Sequence, residues 1–343
     1  MTSFMLSEIR ETPALAEAAL REDRDLYAAL GRALRARPPV FAATVARGSS
    51  DHAASYAASL FGILGGRVTA TLPPSLVTRY DAKPDLSRAL VLGLSQSGAS
   101  PDLVRVMTAA RATGAITAAI VNVPGSPLAA VARWVLPQRA GPERAVAATK
   151  SFIMTLIAVA RLTAAWTEDP ALTSALPRLP ERLHAAQTCD WSSGLAVFAR
   201  DGGAGAYVIG RGPGLGIAGE AALKLKETSK LHAEAVSAAE IRHGPTVLVD
   251  RNFPVLAFGL ADPGGVDVAT IATELAGAGV PVLFATARPG GPGLYLPLPP
   301  PLHPLLDPIP AVLAFYGFAE ALSRRRGLDP DQPRGLHKVT ETI

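Results

Sequence analysis

Hydroxyls, an amide and a glycine crowd into one turn, Ser95-Gln96-Ser97-Gly98-Ala99-Ser100, between the apolar run Leu90–Leu94 and the segment Pro101-Asp102-Leu103-Val104. A buried strand that ends in such a turn, followed by a helix with Pro near its first position, presents unpaired backbone N–H groups at the positive end of the peptide dipole. Such a helix start binds an anion, and the serines and Gln96 add uncharged donors around it. The turn lacks the lysine that closes a nucleotide-binding P-loop, so one phosphate on a small polyol suits it better than a triphosphate. A second turn of the same kind, Gly48-Ser49-Ser50, follows the apolar run 40–46. Gly48 permits close backbone approach, and both serines can cap a helix while donating outward. One such turn reads as ordinary N-capping. Two, at the carboxyl ends of strands in one sheet, read as a cradle for a phosphorylated polyol, because ligands of open α/β sheets bind at that edge.

A different chemistry lies further on. Glu220, Lys224 and Glu227 stand at i, i+4 and i+7, on one face of a helix. On spacing alone this is an exposed, salt-bridged face. Its neighbours, however, are mainly Ala, Leu and Gly, which offer little other polar cover. A carboxylate in partly apolar surroundings has its pKa raised toward the range useful for proton transfer, while Lys224 pulls it back. His243, in Glu240-Ile241-Arg242-His243-Gly244-Pro245, marks a helix end, where a histidine serves as a C-capping cation or as a catalytic group. A G-x-G-x-x-G match at Gly214, Gly216 and Gly219 does not support dinucleotide binding. Its first glycine stands past the strand end at Ile209, and a charged helix occupies the place where an acid-tipped strand is required.

These groups need elements to hold them. The chain has 343 residues, enough for about two domains. It is 49% hydrophobic and 18% charged, with a net charge of +4, so packed cores rather than disorder are expected. Basic residues are dispersed and not interleaved with aromatics, which excludes a nucleic-acid partner. The single cysteine, Cys189, fits a reducing compartment. The N-terminus lacks the pattern of a signal peptide, and no apolar run approaches the roughly 20 residues of a membrane span. A cytoplasmic protein without membrane contact is expected.

Periodicity predicts a helical segment over 7–35 with Pro13 near a start, then strands at 40–46, 67–71, 89–94, 115–121 and 134–136. Helices are expected at 51–64, 101–113 and from about 146 to 166, and 167–180 reads as a boundary. The pattern then recurs. Arg211-Gly212 repeats Arg47-Gly48, and 253–259 mirrors 89–94, with later strands at 279–287 and 293–296. Two copies of one α/β domain with a parallel sheet are the simplest account.

Six motifs in order carry a family resemblance: Leu94–Gly98, Val146-Ala147-Ala148-Thr149-Lys150-Ser151-Phe152, Glu220–Glu227, His232–Ala235, Glu240–Pro245 and Asp331–Arg334. The chain resembles the sugar isomerase (SIS) domain pair, most closely the isomerase half of glucosamine-6-phosphate synthases. The resemblance implies an α/β fold of two tandem SIS domains, each a parallel five-stranded sheet flanked by helices in a flavodoxin-like three-layer sandwich. N-terminal helices would occupy 1–36, the phosphosugar-binding domain 37–170, the domain with the catalytic helix 190–328, and a tail contributing to the active site 329–343.

The roles it implies are specific. Gly48, Ser49, Ser50, Ser95, Gln96, Ser97 and Ser100 would bind the sugar phosphate, with Val146 and Ala147 beside the substrate. Glu227 would move a proton between C1 and C2 with Lys224 next to it, His243 of a neighbouring subunit would open the sugar ring, and Lys338 would contact the open-chain sugar. A homodimer sharing its active site, a phosphorylated amino sugar as ligand, and no metal or other cofactor follow from the same likeness. Three positions depart from the synthases: Arg47 replaces a small thiol residue, Ala99 an acid and Ala148 a serine. The sequence starts at the isomerase half and its only cysteine is at 189, so glutamine is not the expected nitrogen source. SIS-type glucosamine-6-phosphate deaminases share this pattern, which implies conversion of glucosamine 6-phosphate and water to fructose 6-phosphate and ammonia. Another amino-sugar or glycated-amine phosphate, or a phosphosugar sensor without catalysis, remains open.

Overall fold

A computed structural model describes residues 2–199, 205–336 and 338. They form two compact units. The first unit comprises Ala14–Glu143 and Lys150–Pro177, with Lys338; the second comprises residues 2–13, Arg144–Thr149 and Arg178–Leu336. The elements are α1 (Phe4–Arg21), α2 (Arg24–Ala36), β1 (Phe41–Val45), α3 (Ser49–Ile63), β2 (Thr69–Thr71), α4 (Pro74–Thr78), β3 (Ala89–Ser95) and α5 (Pro101–Ala112). There follow β4 (Ile116–Val121), α6 (Pro127–Val131), β5 (Trp134–Pro137), α7 (Lys150–Thr167), α8 (Pro170–Ala175), α9 (Leu179–Ala186) and α10 (Leu195–Phe198). The remainder is β6 (Ala206–Gly210), α11 (Pro213–Ser229), β7 (Ala233–Ser237), β8 (Val255–Phe258), α12 (Pro263–Gly277), β9 (Val282–Thr286), β10 (Leu294–Pro297) and α13 (Pro308–Arg325).

Each unit holds one five-stranded sheet, ordered β2-β1-β3-β4-β5 in the first and β10-β9-β8-β6-β7 in the second. All pairings are parallel; Ala43 faces Val91 in the first sheet, and Val208 faces Leu256 in the second. Strands covered by helices on both faces read as unbroken apolar runs, and β3, β4, β6 and β8 are buried throughout. Both sheets therefore show the same doubly wound α/β plan, with the order 2-1-3-4-5 in each.

Local chemistry moved several boundaries. The expected helix over 7–35 is two, because Asp23 adopts a left-handed conformation at φ 55°. Its first part begins at Phe4 rather than near Pro13: Ser3 Oγ accepts the Leu6 N–H, and the Asp331 carboxylate accepts those of Phe4 and Met5. Pro13 then lies inside α1, where it cannot donate to the Ile9 carbonyl. Gln187 supplies the missing donor, its Nε2 lying 2.8 Å from Ile9 O. The helix expected from about 146 starts at Lys150, since Glu143 accepts the Ser151 N–H at 3.0 Å and the Ser151 hydroxyl at 2.7 Å. Strand β7 carries the His232–Ala235 motif and was not signalled, its burial being interrupted at Glu234 and Ala235.

Helix α7 is mainly apolar and buried on nearly every side. Gly31 lets α2 pack against it, since a Cβ there would lie 2.1 Å from the Ala165 carbonyl oxygen. Neither backbone can yield. Gly31→Ala is therefore expected to cost about 1–3 kcal/mol, read as a lower urea midpoint with unchanged slope; an unshifted midpoint would show that the helices separate freely.

Candidate active site

The first unit builds a cradle where β1 and β3 lie side by side while their connections leave in opposite directions. Both strands end at one edge, and both are followed by a turn and a helix. This is the switch point at which doubly wound sheets bind ligands. In the β3 turn, the buried Ser95 accepts the Gly98 N–H at 3.0 Å, and Ser97 Oγ accepts the Ala99 N–H at 3.3 Å. Gly98 has φ +63°, and a Cβ there would lie 2.1 Å from Ser126 Oγ. Only glycine fits. Ser100 takes the N-cap position of α5 without a side-chain capping bond, and Pro101 follows it. In the β1 turn, the N-cap position of α3 belongs to Gly48, at φ 54° and ψ −133°. Ser49 and Ser50 therefore occupy the first turn of α3 instead of capping it. The structure thus brings Gly48, Ser49, Ser50, Ser95, Gln96, Ser97 and Ser100 to one sheet edge.

A clamp that was not anticipated ties these turns together. Arg47, exposed and next to Gly48, reaches the buried Asp102 in the first turn of α5, with Nη2 and Nε at 2.9 and 3.1 Å from Oδ2. The second unit repeats it. Gly212 adopts φ 55° and ψ −131°, almost the angles of Gly48, and Arg211 pairs with Asp267 of α12 at 2.8 Å. The repeated Arg-Gly pair is the sequence signal of this clamp.

Helix α11 of the second unit holds the charged triplet. Lys224 and Glu220 are fully buried and the Glu227 side chain is 20% exposed, so the plain reading of an exposed face fails. Lys224 Nζ lies 3.3 Å from Glu220 Oε1 and donates a short hydrogen bond to Glu227 Oε2. Tyr316 of α13 donates to Glu220 Oε1 at 2.9 Å. Burial disfavours the Lys224 charge, but the carboxylates of Glu220 and Glu227 outweigh it and hold the lysine above its ordinary pKa. The lysine is thus a cation at neutral pH. It orients a carboxylate that borders a cavity of about 380 Å³, whose wall also includes Lys226, Lys230, Gln332 and Arg334.

Residues 42–165 and 205–292 match the SIS domain. The chain is 33% identical to glutamine–fructose-6-phosphate aminotransferase [isomerizing] of Methanothermobacter thermautotrophicus over 344 residues, covering 98% of this chain and 57% of that protein. The chain thus spans little more than half the length of such relatives. Among solved structures, a candidate phosphosugar isomerase from Silicibacter pomeroyi superimposes with a TM-score of 0.91 at 40% identity, covering 96% of this chain and all of that one. Glucosamine-6-phosphate deaminase from Thermotoga maritima superimposes with a TM-score of 0.76, covering 99% of this chain and 100% of its own, but at 22% identity that likeness speaks for the fold alone.

The chain belongs to the SIS family.

The remaining SIS-motif residues fall into place within each unit. In the second, Val146 and Ala147 sit in a bent, irregular segment held from two sides: buried Glu8 accepts the N–H groups of Arg144 and Ala145, and the Asp331 carbonyl accepts that of Val146 at 3.0 Å. Three stretches far apart in sequence meet there. His243 closes a short 3-10 turn by donating its N–H to the Glu240 carbonyl, and does not line the Glu227 cavity. In the first unit, Lys338 lies 2.9 Å from Glu143 Oε2, the carboxylate that also starts α7.

Two outcomes test these arrangements. Lys224→Met leaves two carboxylates facing each other under Tyr316, and is expected to cost about 3–5 kcal/mol. Because the lysine pKa is raised, its contribution is complete below the ordinary lysine value and is lost only as pH climbs through the raised one. Urea titrations should show a constant deficit from neutrality to about pH 10, closing above it; a deficit that vanished near neutrality would refute the charged lysine. Arg47→Ala strands a buried carboxylate but removes a half-exposed partner, so a loss of about 1–2 kcal/mol is expected in the same titration.

Proposed function

We propose that the chain is a phosphosugar isomerase that deaminates, converting glucosamine 6-phosphate and water to fructose 6-phosphate and ammonia. The observation that carries the reading is the Lys224–Glu227 pair: a carboxylate at the edge of a cavity, held by a buried lysine that cannot itself leave. A hexose phosphate needs little more for aldose–ketose transfer than one such group placed over C1 and C2. Uncharged donors of the two serine turns suit a sugar phosphate.

After ring opening, assigned to His243, Glu227 takes the C2 proton while O1 gains a proton from water, giving an enolamine. Returning the first proton to C1 while the amine gives one back to water leaves an imine at C2. Water adds to the imine carbon and the C–N bond breaks, releasing ammonia and the ketose phosphate. The names of the relatives, isomerizing aminotransferases and a candidate phosphosugar isomerase, support the isomerisation. A homodimer is supported by the loop after His243, where Val247 is 89% exposed and Leu248 61%.

Ala148, where synthases carry a serine, favours a second reading in which another amino-sugar or glycated-amine phosphate takes the place of glucosamine 6-phosphate. The test is ammonia and ketose release from a panel of phosphosugars, with Glu227→Gln beside the native protein. Glucosamine 6-phosphate is expected to turn over, and Glu227→Gln to lower kcat by about 10²–10⁴ while ligand affinity stays within about threefold. Tight binding of every sugar without turnover of any would make the protein a sensor.

A further inference from the structure

A second cavity lies apart from the residues used so far, and its case does not depend on the reaction proposed above. It occupies about 330 Å³ beyond the carboxyl ends of β8, β9 and β10, between the turns that follow those strands and the start of α13. This is the edge where doubly wound sheets take ligands, one strand over from the β6–β8 crossover. Its wall is largely preformed: Leu298, Pro299, Pro300 and Pro301 lie on one side and Pro310 on another. Prolines carry no N–H and fix φ, so this wall is stiff, apolar and short of donors. The volume lies at the small end for ligand pockets, the size of a single sugar.

Three polar side chains break the apolar lining: Thr286, Arg288 and Asp307. Asp307 is the informative one. It stands at the N-cap position of α13 yet makes no capping bond to its own helix. Its Oδ1 instead accepts backwards from the N–H groups of Leu302 and His303, at 2.8 and 3.2 Å. The residue is only 9% exposed, and Oδ2 is buried with no hydrogen-bond partner among the described residues. Asp262, at the start of α12, shows the ordinary alternative, spending its carboxylate on the Gly265 N–H at 2.7 Å. A buried carboxyl oxygen without a donor costs about 1–3 kcal/mol; Oδ2 is covered from the cavity, and a turn of the side chain toward a ligand hydroxyl would recover that cost. Burial also raises the Asp307 pKa against the pull of its two backbone donors. Arg288, exposed and without an ion-pair partner among the described residues, supplies the opposite chemistry, a planar donor fork for an anion.

We propose that this cavity is a binding site for a small hydroxylated anion, a sugar acid or sugar phosphate. Hydroxyls of the ligand meet Asp307 and Thr286, its carbon skeleton lies on the proline wall, and its carboxylate or phosphate meets Arg288.

Calorimetric titration of the full chain tests this. D-Glucuronate serves as the carboxylate probe, because it lacks the phosphate that the serine turns are expected to hold. Glucose 6-phosphate serves as the phosphate probe, in the Ser97→Ala, Ser100→Ala background. At least one of the two is expected to bind with one equivalent per chain. Arg288→Ala and Asp307→Asn should each weaken that binding about tenfold or more. Arg288→Ala alters an exposed side chain, so a loss in that variant is not a loss of folding. Asn at 307 keeps the acceptor for Leu302 and His303. Turnover of glucosamine 6-phosphate without either probe should be unchanged in both variants. Absence of binding by both probes, or binding that neither substitution weakens, overturns the proposal.

Discussion

A lysine ammonium buried between two carboxylates is the interaction on which the second unit is organised. Ionic groups taken out of water lose more than their mutual attraction returns unless every partner is in place. Lys224 has its partners: Glu220 and Glu227 from its own helix, with Tyr316 of α13 fixing the first carboxylate from outside. The arrangement forces α11 and α13 into one packing and one rotation. Glu227 keeps part of its surface toward a cavity while Lys224, held above its ordinary pKa, lies beside it.

The first unit instead gathers uncharged donors at one sheet edge. Backbone N–H groups at two helix starts, with hydroxyls around them, supply fixed partial charges that need no reorganisation. Keeping two loops in register then becomes the difficulty, and the Arg47–Asp102 clamp addresses it. Its recurrence as Arg211–Asp267, beside a glycine of nearly identical backbone angles, marks the two units as diverged copies of one design. One copy kept its hydroxyls at the turns; the other has glycines there and carries its ionisable groups further along the following helix.

Glu8, Asp331 and the 144–147 segment illustrate how distant motifs depend on one another. The N–H groups of an irregular segment have no helix or ladder to join, so each needs an acceptor. A carboxylate from α1 and a carbonyl from the tail provide them, while the same Asp331 satisfies the first N–H groups of α1. Motifs at both ends of the chain thus serve one local requirement in the second unit.

Unbroken apolar runs ending in glycine and serine turns determined the parallel sheets, the doubling of the fold and the position of the cradle, because strand burial and turn chemistry act over a few residues. The i, i+4, i+7 spacing likewise placed Glu220, Lys224 and Glu227 on one helical face. Tertiary structure alone decided that this face is buried, since spacing records direction around a helix and not what lies opposite it. It alone also decided where α1 and α7 begin, through Asp331 and Glu143, and that Arg47 reaches Asp102. Each of those outcomes rests on a partner whose separation in sequence carries no period, and a pattern without a period leaves no trace in a linear reading.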